Sequence, residues 1–305
     1  MPASRRDVEF LTVDKVTLRG WFYGVPESNS PHPCIIMANG LAGLKEQFLP
    51  DFAEAFVAAG YTVLLYDHRN WGSSDGLPRM ETDPIQQARD FSDAFDFAAS
   101  LPNVNAKKIV FWGSSMCGGA VLLAAALDKR IAAVISQVLF VSGEGVSQAF
   151  APLLPAIYEN RMRLKSGQSP SFVDIFSSSA AGARTHESQV VIHDTNLVPF
   201  LERIEEQGLP WDPRVTPQTC LNLIAFEPLA YIHRIAPTPL YMAVADNDLP
   251  ASTPSQLRAF NAALEPKTIS ILRNSGHFDA YYGEVFQKNM KGQLEFLQQL
   301  FSQWQ

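Results

Sequence analysis

Three residues of this chain have the types and the order that activate an alcohol for attack, namely Ser115, Asp248 and His277. A serine hydroxyl is a poor nucleophile until a base takes its proton, and the base needs a carboxylate that holds its tautomer and stabilises its cation. Each of the three follows an apolar run typical of a β-strand, in the chain order nucleophile, acid, base. The pattern predicts acyl transfer with Ser115 as nucleophile, Asp248 as acid and His277 as base.

The segment around Ser115 predicts a sharp turn from a strand into a helix. The apolar strand 108–112 runs into Gly113-Ser114-Ser115, and the alanine-rich run Met116–Leu127 follows at once. Small residues permit so tight a turn, which exposes the hydroxyl and aims the next backbone N–H at a developing oxyanion. We therefore expect Met116 N–H to be one donor of an oxyanion hole; the alternative for this stretch alone is an ordinary glycine-rich turn.

The second oxyanion donor is expected from the loop that follows the predicted strand 33–38. This loop reads Asn39-Gly40-Leu41-Ala42-Gly43, and its small residues allow close approach to the serine. The N–H of Leu41 is the expected donor. A simple glycine turn is the alternative for this loop.

Two positions beside the triad offer rivals. Asp246 shares the acid loop with Asp248, but a residue three positions beyond a strand that ends at Ala245 clears the sheet edge and reaches back to the histidine. Asp246 is then expected to bond its own loop backbone. Cys117 is the rival nucleophile, and the glycine two residues before Ser115 favours Ser115, with Cys117 as a small packing residue.

The remaining histidines and the Asp67-His68-Arg69 loop are expected to be structural. His68 is expected to brace loops near the site, and Asp67 and Arg69 to form a buried brace. Four other histidines lack metal-ligand spacing and are expected on the surface or in packing, namely His32, His186, His193 and His233.

The segments that must position these residues alternate between strands and helices. Two β-rich runs joined at Asp14-Lys15 come first, and strands at 33–38, 62–66, 108–112, 131–139, 239–245 and 268–272 then alternate with helices at about 46–59, 84–100, 116–127, 254–264 and 281–304. This alternation predicts an α/β fold with a mostly parallel sheet covered on both faces. Residues 141–235 interrupt it without an obvious strand and are predicted to form a largely helical lid, inserted into a core of 1–140 and 236–305.

Composition narrows the class of protein. The chain has 305 residues, 47% of them hydrophobic, which is enough for a large core, and its net charge of −7 argues against nucleic acid as a partner. Its three cysteines are scattered, so neither a disulfide framework nor a zinc site is indicated. No apolar run is long enough to span a membrane, and no signal segment follows the first arginines. We expect a cytoplasmic protein that needs no metal or organic cofactor.

Several stretches together resemble a known family. They are Phe10-Leu11-Thr12-Val13-Asp14, Leu18-Arg19-Gly20-Trp21, Tyr66-Asp67-His68-Arg69, Gly72-Ser73-Ser74-Asp75-Gly76, Trp112-Gly113-Ser114-Ser115 and Gly276-His277-Phe278-Asp279-Ala280-Tyr281. The chain resembles α/β-hydrolases related to dienelactone hydrolases and X-Pro dipeptidyl-peptidase-like esterases, and most closely the fungal thiohydrolases and polyketide acyl transferases encoded beside polyketide synthases. The match covers most of the core and little of the lid. It departs from the family at Asn39, where His is usual, and at Cys117, where a small hydroxyl or glycine is usual.

The resemblance implies an activity on acyl thioesters bound to a carrier. The main expectation is a serine acyl hydrolase that releases a polyketide-type acyl chain, with an acyl carrier domain of a polyketide synthase as partner. An acyl transferase or cyclase that uses the same triad, and a non-catalytic binding protein on the same fold, are the alternatives. Apolar residues near the start of the lid favour a bulky acyl group or, equally, a helix packed on the core.

Overall fold

The computed structural model describes residues 4–25, 30–185 and 190–302 of the chain. Within them, eight strands form one sheet in the order β1-β2-β4-β3-β5-β6-β9-β10. These strands are β1 (Ser4–Leu11), β2 (Thr17–Gly24), β3 (His32–Ala38), β4 (Thr62–Tyr66), β5 (Val104–Ser114), β6 (Ala133–Gln137), β9 (Leu240–Ala245) and β10 (Lys267–Leu272).

The sheet is mostly parallel, as the alternation predicts. β1 and β2 form an antiparallel hairpin, β2 pairs antiparallel with β4, and the pairings from β4 to β10 are parallel. Strands β4, β6 and β9 are buried along their whole length. Runs of Val, Ile and Leu are typical of such strands because both faces are covered.

Helices cover the two faces of this sheet. They are α1 (Leu49–Ala58), α2 (Pro84–Ala99), α3 (Met116–Leu127), α9 (Thr253–Ala262) and α10 (Gly283–Ser302). One apolar cluster joins α1 and α10 to the sheet through residues such as Phe52 and Met290, and the other joins α2, α3 and α9 through residues such as Phe91 and Val121. The predicted α/β architecture is therefore confirmed.

Local chemistry sets where these helices begin. Asp83 caps α2 because its carboxylate accepts hydrogen bonds from the N–H groups of Ile85 and Gln86. Helix α1 begins at Leu49, three residues later than the predicted Glu46, because Phe48 has a left-handed backbone with φ of 59° and Pro50 occupies the first turn. Helix α3, which follows the turn at Ser115, begins and ends at the predicted residues, Met116 and Leu127.

The segment 141–235 is largely helical in its described part. It holds α4 (Glu144–Phe150), α5 (Leu154–Lys165), α6 (Ala180–Thr185), α7 (Leu197–Glu206) and α8 (Pro217–Ile224), with short 3₁₀ turns. It also contains a short strand pair, where the sequence shows no obvious strand. β7 (Val173–Asp174) pairs antiparallel with β8 (Arg214–Val215), and two residues a strand are too few to give a periodic signal. The boundaries at 141 and 235 stay a prediction.

The apolar residues at the start of this segment pack inward. Phe150 and Ile157 are fully buried in the cluster that contains α1 and α10, and Leu153 and Leu154 pack against it. This favours a helix packed on the core over a wall built for an acyl chain. No helix in the described part of the chain is long and apolar enough to cross a bilayer.

Candidate active site

Ser115 sits on the turn between β5 and α3 with a strained backbone. Its φ of 59° and ψ of −125° lie in a region that side chains rarely adopt. Strand β6 and the segment after it hold the turn, because Ser115 N donates to Gln137 O at 3.0 Å and Phe140 N donates to Ser115 O at 2.9 Å. A side chain at Gly113 would collide with the Cys117 carbonyl, so the small residue there lets the helix fold back against its strand.

The structure brings Ser115, His277 and Asp248 into one hydrogen-bonded series. His277 Nε2 lies 2.9 Å from Ser115 Oγ, and His277 Nδ1 lies 3.0 and 2.9 Å from the two carboxylate oxygens of Asp248. His277 is 2% exposed and Asp248 is 3% exposed, so water scarcely competes for the bonds between them. The arrangement can hold the imidazole with Nδ1 protonated and Nε2 free to accept the serine proton.

The Asp248 carboxylate is surrounded by donors. Its Oδ1 accepts from Ala251 N at 2.8 Å, and its Oδ2 accepts from Gln256 Nε2 at 2.9 Å. Gln256 is fully buried on α9 and also accepts a bond from Leu139 N. The sequence does not predict this role for Gln256, because nothing in the helix pattern around it indicates which residue its amide bonds.

Asp246 and Cys117 are placed away from the serine–histidine bond. Asp246 Oδ1 accepts from Ser275 N at 3.1 Å, and this backbone bond is the main reason that the pKa of Asp246 is lowered. Its partner is thus backbone of the loop that carries His277 and not of its own loop, so the expectation for Asp246 is wrong in this respect. Cys117 is fully buried, and burial raises the pKa of its thiol. A buried neutral thiol is a packing group and a poor nucleophile.

The loop of the expected second oxyanion donor lies over Ser115. Gly43 N donates to Gly40 O at 3.1 Å, which closes a turn through Leu41 and Ala42. Among the described residues, neither Leu41 N nor Met116 N donates to a protein acceptor, and Met116 is the first residue of its helix, where the N–H lacks an intrahelical partner. The roles of both donors stay predictions.

Asn39, which stands where the resembled family usually has His, braces this loop. Its Oδ1 accepts from Gly40 N, and its Nδ2 donates to Leu44 O, each at 2.8 Å. His68 Nε2 lies 3.1 Å from Asn39 O, and burial lowers the pKa of His68 to about 4. The neutral ring donates from Nε2 to that carbonyl, the bracing contact expected of His68.

Asp67 and Arg69 are both buried and both make bracing ion pairs, as expected, but with other residues and not with each other. Asp67 accepts from Lys45 Nζ at 2.7 Å, whereas Arg69 binds Asp90 at 2.6 Å and Asp14 at 2.8 Å. Each side chain therefore pairs with residues of other segments rather than with its neighbour in the loop.

No group of three or more His, Cys, Asp or Glu side chains in the described residues is arranged to hold a metal ion. Of the other histidines, His233 is exposed, and His32 Nδ1 lies 3.0 Å from Gly60 O. His186 lies outside the described residues.

Residues 35–287 match the sequence profile of the α/β hydrolase family. The chain belongs to this family. It is 34% identical to polyketide transferase grgF from a Penicillium species, with 96% of each chain covered. It is 30% identical to thiohydrolase aneE from Aspergillus aculeatus, with 97% of this chain and 93% of that one covered.

Solved structures support the same family assignment. The crystal structure of the α/β hydrolase GrgF from Penicillium sp. sh18 superposes with a TM-score of 0.87 at 32% identity, over 98% of this chain and 99% of that one. The resemblance to fungal thiohydrolases and polyketide transferases is therefore confirmed. Family and relatives together indicate an enzyme with the chemistry of an acyl hydrolase or acyl transferase.

Proposed function

We propose that this α/β hydrolase is a serine acyl hydrolase that cleaves an ester or thioester and releases a polyketide-type acyl chain from a carrier. Ser115 Oγ attacks the acyl carbonyl while His277 Nε2 takes its proton. The tetrahedral oxyanion accepts bonds from Met116 N–H and Leu41 N–H. The thiol or alcohol leaves with the proton from His277, and water attacks the acyl-serine with His277 again as base.

The observation that carries this proposal is the unbroken series from Ser115 Oγ through His277 to Asp248, with bonds of 2.9 to 3.0 Å. A serine held at a strained turn costs stability, and such strain concentrates at functional sites. The buried carboxylate stabilises the imidazolium formed during attack. Together these features support catalysis over a binding role on the same fold.

The relatives support the proposed substrate class. A thiohydrolase and several polyketide transferases match nearly the whole length of the chain. An acyl thioester on an acyl carrier domain is the proposed substrate because both activities begin with acyl transfer to the enzyme. The carrier domain is thus the proposed partner.

Transfer of the acyl group to an alcohol, or cyclisation onto a hydroxyl of the same chain, is the second candidate. The relative grgF is named a polyketide transferase, which favours it. The chemistry is shared up to the acyl-serine, and the two candidates differ only in whether water or an alcohol attacks next.

A matched pair of variants tests the nucleophile. Ser115→Ala is expected to lose turnover of acyl N-acetylcysteamine thioesters by about 10³-fold or more and to lose labelling by a fluorophosphonate probe. Cys117→Ala removes the neighbouring buried thiol and is expected to keep labelling. Full activity in Ser115→Ala would refute the proposal, and failure of the wild type to label would favour a non-catalytic protein.

A partition experiment separates the two candidates. Wild-type enzyme is given the thioesters with a series of alcohols, and the free acid and the ester are quantified by mass spectrometry. A hydrolase yields acid at every alcohol concentration. Ester that rises with alcohol at constant thioester consumption would identify a transferase.

A further inference from the structure

The loop that carries His277 is hydrogen-bonded to a residue far away in the chain, Asn196 at the start of α7. Phe278 N donates to Asn196 Oδ1, and Asn196 Nδ2 donates to Asp279 Oδ2, each at 2.8 Å. We propose that Asn196 is a positioning residue that fixes the His277 backbone, so that the imidazole meets Ser115 and Asp248 together. This inference rests on the proposed function of the triad.

We call the hydrogen-bonded pair of Asn196 and Asp279 the clamp. It reaches the backbone on both sides of His277. Asp279 Oδ2, which accepts from Asn196, also accepts from Gly276 N at 2.8 Å. The N–H groups of residues 276 and 278 therefore both end on the Asn196–Asp279 pair. The amide of Asn196 has one orientation here, because its oxygen must face the Phe278 donor and its nitrogen must face the Asp279 carboxylate.

Gly276 makes room for this amide. A Cβ at position 276 would lie 2.7 Å from Asn196 Cγ and 2.8 Å from its Oδ1, closer than real Cβ contacts. The absence of a side chain beside the catalytic histidine is thus explained by Asn196. A substitution at position 276 acts on the same contact from the opposite side.

Asn196 is itself held in place by its own segment. Asn196 N donates to Asp194 Oδ1 at 2.8 Å, and burial raises the pKa of Asp194. Phe200, one turn further along α7, packs its ring 5.0 Å from that of Phe278. A polar clamp and an aromatic contact therefore join the same two segments.

The geometry explains why the clamp affects rate. Proton transfer from Ser115 requires the imidazole to keep two bonds of about 2.9 Å at once. Displacement of a catalytic group by about 1 Å costs on the order of 10²-fold in rate. Without this clamp the loop is expected to sample such displacements. Because the clamp bonds reach loop backbone and Asp279 and not Ser115, we expect the chemical step to slow more than substrate binding weakens.

The first test compares two asparagines of the segment 141–235. Asn196→Ala is expected to lower kcat and the rate of fluorophosphonate labelling by about 10- to 100-fold with KM within about threefold. Asn222→Ala is the matched control, because Asn222 Nδ2 donates to Thr82 O at 2.9 Å, away from the His277 loop. It is expected to keep kcat within about twofold. Equal kcat values in both variants and wild type would overturn the proposal.

A double-mutant cycle tests whether Gly276 acts through Asn196. Gly276→Ala alone is expected to lower kcat by a factor similar to that of Asn196→Ala. Combined, the two are expected to cost little more than one alone, since the amide group that collides most closely has been removed. Effects that multiply would show that Gly276 serves the loop independently and would overturn the link.

A reciprocal swap provides a rescue and keeps the test decisive if Asn196→Ala fails to fold. In Asn196→Asp the new carboxylate faces Asp279, so kcat is expected to fall by at least tenfold. Adding Asp279→Asn removes the repulsion between the two carboxylates and lets an amide N–H donate to the new one, at the cost of the bond from Gly276 N, so kcat is expected to recover in part, by at least about threefold over Asn196→Asp. A swapped enzyme as impaired as Asn196→Asp would overturn the clamp.

The outcome separates this inference from the proposed function. An inactive Ser115→Ala with an unimpaired Asn196→Ala refutes the clamp and leaves the triad intact. An active Ser115→Ala refutes the triad, and the inference falls with it.

Discussion

Gly40 lies directly against Ser115. A Cβ at position 40 would lie 2.8 Å from Ser115 Cβ and 3.3 Å from its Oγ. Only hydrogen at this position leaves space between the loop 39–43 and the serine for an acyl oxygen. The contact thus joins the nucleophile to the loop of the expected oxyanion donor Leu41.

Gly40→Ala is therefore expected to lower kcat/KM by about 10²- to 10³-fold, the usual effect of losing one oxyanion donor. The fold should persist, because the new methyl group meets the serine side chain at the site. Turnover and far-UV circular dichroism check this. Gly145→Ala is the control, since a Cβ at position 145 meets no atom within 4 Å and alanine favours the helix by about 0.5–1 kcal/mol. An active Gly40→Ala would contradict this account of the loop.

The two aspartates of the acid loop are expected to respond very differently to amidation. Every group that faces the Asp248 carboxylate is a donor, so in Asp248→Asn an NH₂ group must oppose one of them or force the wrong tautomer on His277. We expect kcat to fall by about 10³- to 10⁴-fold.

Asp246→Asn is the matched control for this prediction. Its amide oxygen can still accept the bond from Ser275 N, so kcat is expected to stay within about threefold of wild type. Steady-state kinetics of both variants decide the matter. A larger loss of kcat in Asp246→Asn than in Asp248→Asn would assign the acid role to Asp246.

The chain order and the strand ends were sufficient to predict which residues meet at the site. Ser115, Asp248 and His277 each follow a strand of one parallel sheet, and the carboxyl ends of such strands share an edge. The residues that support them were not predictable in this way. Asn196 and Gln256 make their bonds across 82 and 8 residues respectively, and neither position departs from an ordinary helix pattern.

Ion-pair partners were equally hidden in the sequence. The loop 67–69 carries an obvious acid–base pair, yet Asp67 and Arg69 pair with residues 21 to 55 positions away. Side-chain direction and distant loops decide such pairings, and a single sequence records neither. The short β7–β8 pair was missed because two-residue strands have no periodicity.

The ion pair of Lys45 and Asp67 predicts a large loss of stability. The two side chains are 6% and 0% exposed, and Asp67 also accepts from Lys45 N and Ser73 N. Asp67→Ala therefore leaves these donors unpaired and the Lys45 ammonium with Glu46 alone as its carboxylate partner. We expect the free energy of unfolding to fall by about 3–5 kcal/mol, measured by urea denaturation. Asp212→Ala, which breaks the exposed pair with Arg214, is expected to cost less than about 1 kcal/mol. Similar losses in the two variants would contradict the assignment.

His68 predicts how stability depends on pH. Burial lowers its pKa to about 4, against about 6.5 in an unfolded chain, and Nδ1 has no hydrogen-bond partner among the described residues. Between these pH values the unfolded chain binds more protons than the folded protein. The contribution of neutral His68 to the free energy of unfolding is therefore complete above about pH 6.5 and is lost as the pH falls toward about 4. Wild type should therefore lose about 2 kcal/mol from His68 between pH 7.5 and pH 5, and His68→Gln should lack this part of the decline. His233→Gln, which alters an exposed histidine, should decline as wild type does. Urea denaturation at both pH values measures the difference, and an unchanged decline in His68→Gln would show that His68 is already protonated in the folded protein.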